Sequence, residues 1–232
     1  MISTPSPNYD NRTLPVSMIV LHYTGMPDAA AAIARLTDPQ SPRVSAHYLI
    51  AEDGQIMQMV EEGYRAWHAG KSWWRGVTDV NSASIGIELV NPGHEFGYQP
   101  FPVPQIEALI PLMQAIQTRY KITRGTIVGH SDEAPARKHD PGELFPWEWL
   151  AQLRLALPSP TQNLMDPHWP DGGFLLALER FGYDVSEPQA AVIAFQRRFR
   201  PTTIDGVIDG ECRAKLLALL LPRPLGPTVP GR

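Results

Sequence analysis

The chain has 232 residues, 43% of them hydrophobic and 19% charged, which is enough apolar content for a packed core and excludes a wholly disordered polymer. Twenty basic against 24 acidic side chains leave a net charge of −4, so a broadly phosphate-neutralising surface is excluded and no nucleic-acid partner is expected. Twenty-four prolines point to stiffened loops, and a single cysteine, Cys212, rules out an intramolecular disulfide and a thiolate-rich metal site. Any metal must then be held by histidine and carboxylate.

The first fifteen residues, MISTPSPNYDNRTLP, lack the basic start and apolar run of a secretory leader. No stretch approaches the roughly 18–20 apolar residues of a membrane helix. A cytoplasmic protein with no membrane partner is expected, with a periplasmic or secreted one as the alternative if a leader has been removed. VSMIVLHYT at 16–24 is a continuous apolar run and predicts a buried central strand. The alanine-rich segment 27–38 suits a helix. HYLIAE and QIMQMV, joined by Asp53-Gly54, predict a hairpin within 46–60. SIGIELV at 84–90 alternates and predicts a strand. Apolar residues at 106, 109, 110, 113 and 116 give a helical period over 104–120, with proline near its start. TIVGH at 126–130 predicts another strand, and 147–157 a closing helix.

Domain boundaries follow from composition. Residues 1–157 form a mixed α/β unit with a central mixed sheet flanked by helices, and PSPT opens a linker at 158–162. Three helices, at 173–182, 188–199 and 211–221, are expected in a small unit over 163–222. TIDGVIDG supplies the turns between the last two. Leu176, Phe181, Val192, Phe195, Phe199 and Leu216 are expected as its core, and RRFR at 197–200 as a solvated basic face. Cys212 is expected buried near the last helix. The tail 223–232, rich in proline and glycine, is expected to be disordered.

Seven histidines are candidates for chemistry. His22 and His130 each end a predicted buried strand, where a side chain can project from a rigid sheet into a cleft, and imidazole suits zinc. Asp140 precedes Pro141, which favours extended backbone. Lys138 and Asp140 then share a face and His139 points away. Two histidines and one carboxylate would leave an open position on a catalytic zinc. The alternative is that Asp140 caps a turn and His130 a strand end. In SIGIELV, Glu88 lies on the face opposite Ile85, Ile87 and Leu89. It is either a general base at a cleft or a rim carboxylate paired to an arginine. Trp67, Trp73 and Trp74 cluster with His68, as a sugar-stacking wall or as packing. There is no G-x-S-x-G elbow, no Walker A loop and no H-E-x-x-H.

Taken together, IVLHYT, SAHYLI, DGQIMQMV, AWHAG, NSASIGIELVN and GHSDEAPARKHDPGELFPW resemble, in order, the zinc-dependent N-acetylmuramoyl-L-alanine amidases of type 2. That family shares its fold with the peptidoglycan recognition proteins. The resemblance implies Zn2+ on His22, His130 and Asp140, with Glu88 and Lys138 as the catalytic pair. It implies cleavage of the bond between N-acetylmuramic acid and L-alanine in peptidoglycan or (anhydro)muropeptides. Tyr23, His47, His68, Trp74 and Asn81 are expected to bind substrate, and the chain is expected to act as a monomer. LLALERFGYDV, AVIAFQRRF and DGVIDGECRAKLLAL resemble a small peptidoglycan-binding helical module, more weakly. The alternative function is a non-catalytic binder of cell-wall fragments.

Overall fold

The computed structural model describes residues 1–40, 42–162 and 164–221. The expected disordered tail lies outside them. The strands are β1 (Ile2–Ser3), β2 (Tyr9–Asn11), β3 (Met18–Tyr23), β4 (Tyr48–Ile50), β5 (Ile56–Gln58), β6 (Tyr64–Ala66), β7 (Ser84–Leu89) and β8 (Ile127–Gly129). The helices are α1 (Ala29–Thr37), α2 (Val80–Ala83), α3 (Gly93–Phe96), α4 (Val103–Tyr120), α5 (His130–Glu133), α6 (Trp147–Gln152), α7 (Asp171–Phe181), α8 (Pro188–Phe199) and α9 (Gly210–Leu220).

Six strands form a mixed sheet in the order β1-β5-β4-β7-β3-β8. β3 runs parallel to both β7 and β8, and only the β4–β5 hairpin is antiparallel. β2 and β6 pair separately. The hairpin turns where predicted: Asp53 Oδ1 accepts the Gln55 amide at 2.9 Å, and Gly54 takes the left-handed φ of 87° that such a turn requires.

Alternation along β3 and β7 divides the interior. Ile19, Leu21, Ile85, Ile87 and Leu89 face α4, whose Ile106, Leu109, Met113 and Ile116 form the predicted apolar stripe. Met18 and Val20 face the other way, as do His22, Gly86 and Glu88. That second face carries two cores. Ala32 and Leu36 of α1 pack with Leu49, Met57 and Val90. Met18, Val20 and Val128 pack with Trp74 and with Phe174, Phe181, Tyr183 and Phe195 of the helical unit.

Several expectations are corrected. The β8 strand stops at Gly129, and His130 opens a helical turn instead of ending the strand. The closing helix stops at Gln152, short of 157. Leu176 is 62% exposed, because it lies on the outer side of α7, whereas Phe174 and Leu178 take the core positions. The RRFR run is not solvated: Arg197, Arg198 and Arg200 are all buried. Arg198 lies over the Trp147 ring, Arg197 faces Glu143 at 3.5 Å, and Arg200 pairs with Asp205 and Asp209. Arg198 has its pKa lowered to about 10 by burial, against the pull of Asp132. The 158–162 segment is also tied down: Ser159 Oγ donates to the Phe199 carbonyl, and Lys215 Nζ donates to Ser159 Oγ and the Pro160 carbonyl. Cys212 is buried, as expected.

Candidate active site

Parallel pairing sets His22 directly opposite Glu88. On the other side of β3, β8 delivers Gly129 next to Leu21 and hands the chain to His130. The chain then turns back, and the Ser131 amide donates to the Asp140 carbonyl at 2.8 Å, fixing the aspartate beside the strand ends.

Three buried side chains converge here: His22 Nδ1 lies 2.9 Å from His130 Nδ1, and Asp140 Oδ2 lies 3.0 Å from each. The outer nitrogens fix what the inner ones present. His130 Nε2 sits 3.1 Å from the Ala69 carbonyl, an acceptor, so the proton is on Nε2 and Nδ1 is bare. His22 reaches the same state through His68, whose Nδ1 lies 3.0 Å from His22 Nε2. Two imidazole lone pairs and a carboxylate therefore face one another, an arrangement that a cation would stabilise. The donor set and its burial fit zinc.

Electrostatics agree with that fit. Burial, reinforced by His130, lowers the His22 pKa to about 4, so the ring is neutral at pH 7. Burial alone would raise Asp140, but in the metal-free site a proton on the facing nitrogen of His130 or His22 outweighs it and lowers the carboxyl below its ordinary range. Glu88 is the opposite case. Burial pushes its pKa well above the ordinary carboxylate range, Asp140 adds to the rise and Lys138 opposes it. Its Oε2 is enclosed and has no hydrogen-bond partner among the described residues.

Glu88, His130, Lys138 and Asp140 line a cleft of about 370 Å³, together with Tyr23, Trp67 and His68. Lys138 and Asp140 both line the cleft, and so does His139, which the extended-chain reading points away. His139 is exposed at the same rim, 5.6 Å from the His94 ring. The Tyr23 phenol lies 2.8 Å from His94 Nδ1, and His94 Nε2 lies 3.2 Å from both oxygens of Glu143. Gly93 makes room for this: with φ of 69°, a Cβ there would lie 2.6 Å from the Tyr23 ring.

Of the five residues expected to touch substrate, Tyr23 and His68 line the cleft and three do not. His47 is fully buried: its Nδ1 accepts the Gly86 amide, and its Nε2 faces the Tyr64 carbonyl. Trp74 is 2% exposed, with Tyr183 at 5.2 Å edge to face. Asn81 is spent on the backbone of His68 and Ala69. Sequence reasoning missed His94, Glu143 and Ser84 as neighbours of the site. Ser84 and Glu143 lie inside quoted motifs and His94 was one of seven histidines, but only the fold shows what each of them faces.

The family described as N-acetylmuramoyl-L-alanine amidase matches residues 12–143. N-acetylmuramoyl-L-alanine amidase AmiD of Escherichia coli is 41% identical, over 88% of this chain and 82% of that protein. The 1,6-anhydro-N-acetylmuramyl-L-alanine amidase AmpD of Haemophilus influenzae is 38% identical, over 62% of this chain and 86% of that one. Among solved structures, AmiD in complex with the substrate anhydro-N-acetylmuramic acid-L-Ala-D-gamma-Glu-L-Lys superposes with a TM-score of 0.80 at 39% identity, covering 88% of each chain. AmpDh3 of Pseudomonas aeruginosa, in complex with anhydromuramic pentapeptide, gives 0.79 at 34% identity, over 88% of this chain and 90% of that one. The chain belongs to the N-acetylmuramoyl-L-alanine amidase family and is itself an amidase. That sets aside the alternative of a binder without activity.

Proposed function

We propose that this amidase uses zinc to hydrolyse the amide between the lactyl carbonyl of N-acetylmuramic acid and L-alanine of the stem peptide. Its substrates on this reading are muropeptides from cell-wall turnover, 1,6-anhydro forms included. The observation that carries it is the buried triangle of His22 Nδ1, His130 Nδ1 and Asp140 Oδ2 beside the cleft that Glu88 and Lys138 line. The relatives' complexes with anhydromuramyl peptides supply the substrate class.

His22, His130 and Asp140 would hold the metal. When bound, zinc would lower the pKa of a water toward about 7 and polarise the scissile carbonyl. Glu88 takes the proton of the attacking water, and the burial that raises its proton affinity makes it the stronger base. It then passes that proton to the leaving amine of L-alanine. The Lys138 ammonium faces the oxyanion that develops on the former carbonyl. Loss of one such donor typically raises the barrier by about 2.7–4 kcal/mol.

We further infer that residues 163–222 act as a brace for the catalytic unit. Support comes from the core the two share and from the buried arginines of α8 that face Glu143 and Trp147.

Mass spectrometry of purified muropeptides, anhydro and reducing-ended, tests the reaction. The expected products are a peptide with a free L-alanine amine and a sugar bearing a free lactyl carboxylate. Fragments that keep L-alanine on the sugar would overturn the bond assignment.

A further inference from the structure

The segment 67–70 touches both histidines of the triangle. His68 meets His22, and the carbonyl of the next residue, Ala69, meets His130. Hydrogen-bond directions along this segment can be followed from a fixed end. Ser84 Oγ lies 2.6 Å from the Val80 carbonyl, which can only accept, so the hydroxyl proton points there. The Ser84 oxygen is then an acceptor toward His68 Nε2 at 3.2 Å, and His68 carries its proton on Nε2. His68 Nδ1 is left bare and accepts from His22 Nε2–H, which leaves His22 Nδ1 bare toward His130 and Asp140. On the other arm, His130 Nε2–H donates to the Ala69 carbonyl at 3.1 Å, while Glu133 Oε1 lies 3.3 Å away without a hydrogen bond to it.

Both arms depend on where residues 68 and 69 sit, and one side chain decides that. Asn81 Oδ1 accepts the amide of His68 at 2.9 Å and that of Ala69 at 2.7 Å. Gly86 clears the space above β7: a Cβ there would lie 2.4 Å from His68 Cγ.

We propose that His68 and the Ala69 carbonyl, clamped by Asn81, are positioning groups that hold the inner nitrogens of His22 and His130 in the unprotonated, metal-accepting form. His68 and Asn81 thus act through the histidines and not on the substrate. The inference rests on the metal-site reading above. Outer partners of metal-bound histidines typically contribute roughly 10–100-fold in metal affinity.

The test uses the full chain stripped of metal, with zinc affinity read by chelator competition and ligand geometry by the visible spectrum of the cobalt(II)-loaded protein. His68→Phe keeps a flat ring against Gly86 but removes both nitrogens. It should weaken zinc roughly 10–100-fold and shift the cobalt band. Asn81→Ala should do the same, whereas Asn81→Asp keeps an oxygen that accepts both amides and should restore affinity to within a few-fold. If His68→Phe does not fold, the two Asn81 variants decide the matter. Folded variants with wild-type zinc affinity and an unchanged cobalt band would overturn the inference alone. A wild-type chain that takes up no zinc would overturn the metal reading as well.

Discussion

Tyr183 donates its phenolic hydrogen to Asp132 Oδ1 at 2.5 Å, within the protein interior. The other oxygen, Oδ2, accepts the Gly129 amide at 2.8 Å, one residue before His130. A side chain that follows α7 is therefore two hydrogen bonds from the strand end that delivers a candidate ligand.

Tyr183→Phe keeps the ring against Trp74 and leaves Asp132 with an unsatisfied buried oxygen. The expected cost is about 1–3 kcal/mol of stability, read as a lower denaturation midpoint. An unchanged midpoint would mean that the Asp132 oxygen finds another partner.

Glu88→Gln preserves shape and removes the base. Zinc content should match wild type while turnover falls by about 10²–10⁴. Retention of full turnover by this variant would take Glu88 out of the proton path.

Chelation should abolish amide cleavage, and zinc should restore it. Retained activity in protein shown by elemental analysis to be metal-free would end the role given to His22, His130 and Asp140.

The pH dependence of stability follows from His47. Burial, with the Arg12 charge adding to it, lowers its folded pKa from 6.5 to about 3. Between those values the unfolded chain binds a proton that the folded chain does not. The contribution of His47 to stability is therefore full above pH 6.5 and lost as pH falls toward 3. The limiting slope is about 1.4 kcal/mol per pH unit for each such group, and His22, lowered to about 4, adds a second. Because Glu88, raised by burial, contributes the opposite slope, the measurement is denaturation of metal-free wild type against His47→Gln between pH 7 and pH 5, and identical pH slopes in the two would contradict it.

The catalytic half was readable because its signals are local. An uninterrupted apolar run gave β3, a two-residue period gave the face of Glu88, and a 3.6-residue period gave α4. The helical half was readable as helices, and its burial was not. A run such as RRFR looks solvated unless the partner surface is known. Here the arginines meet Trp147, Glu143, Asp205 and Asp209, from two parts of the chain. His47, Trp74 and Asn81 erred for a related reason: each belongs to or adjoins a motif near the cleft (SAHYLI, AWHAG and SIGIELV respectively), yet all three side chains are buried. The histidine chain through Ser84 was invisible because its members are brought together only when β7 passes beneath the 67–70 segment.

Val20 and Val128 sit on neighbouring strands of the sheet that carries His22, and they belong to the same buried cluster as Phe181, Tyr183 and Phe195. Severing the chain at Pro158 would strip that lining and bare an oily floor directly behind the catalytic strands. The two halves are thus not beads on a string that can be traded between enzymes. They would melt in one step, and a graft of either half would have to bring its counterpart's wall along.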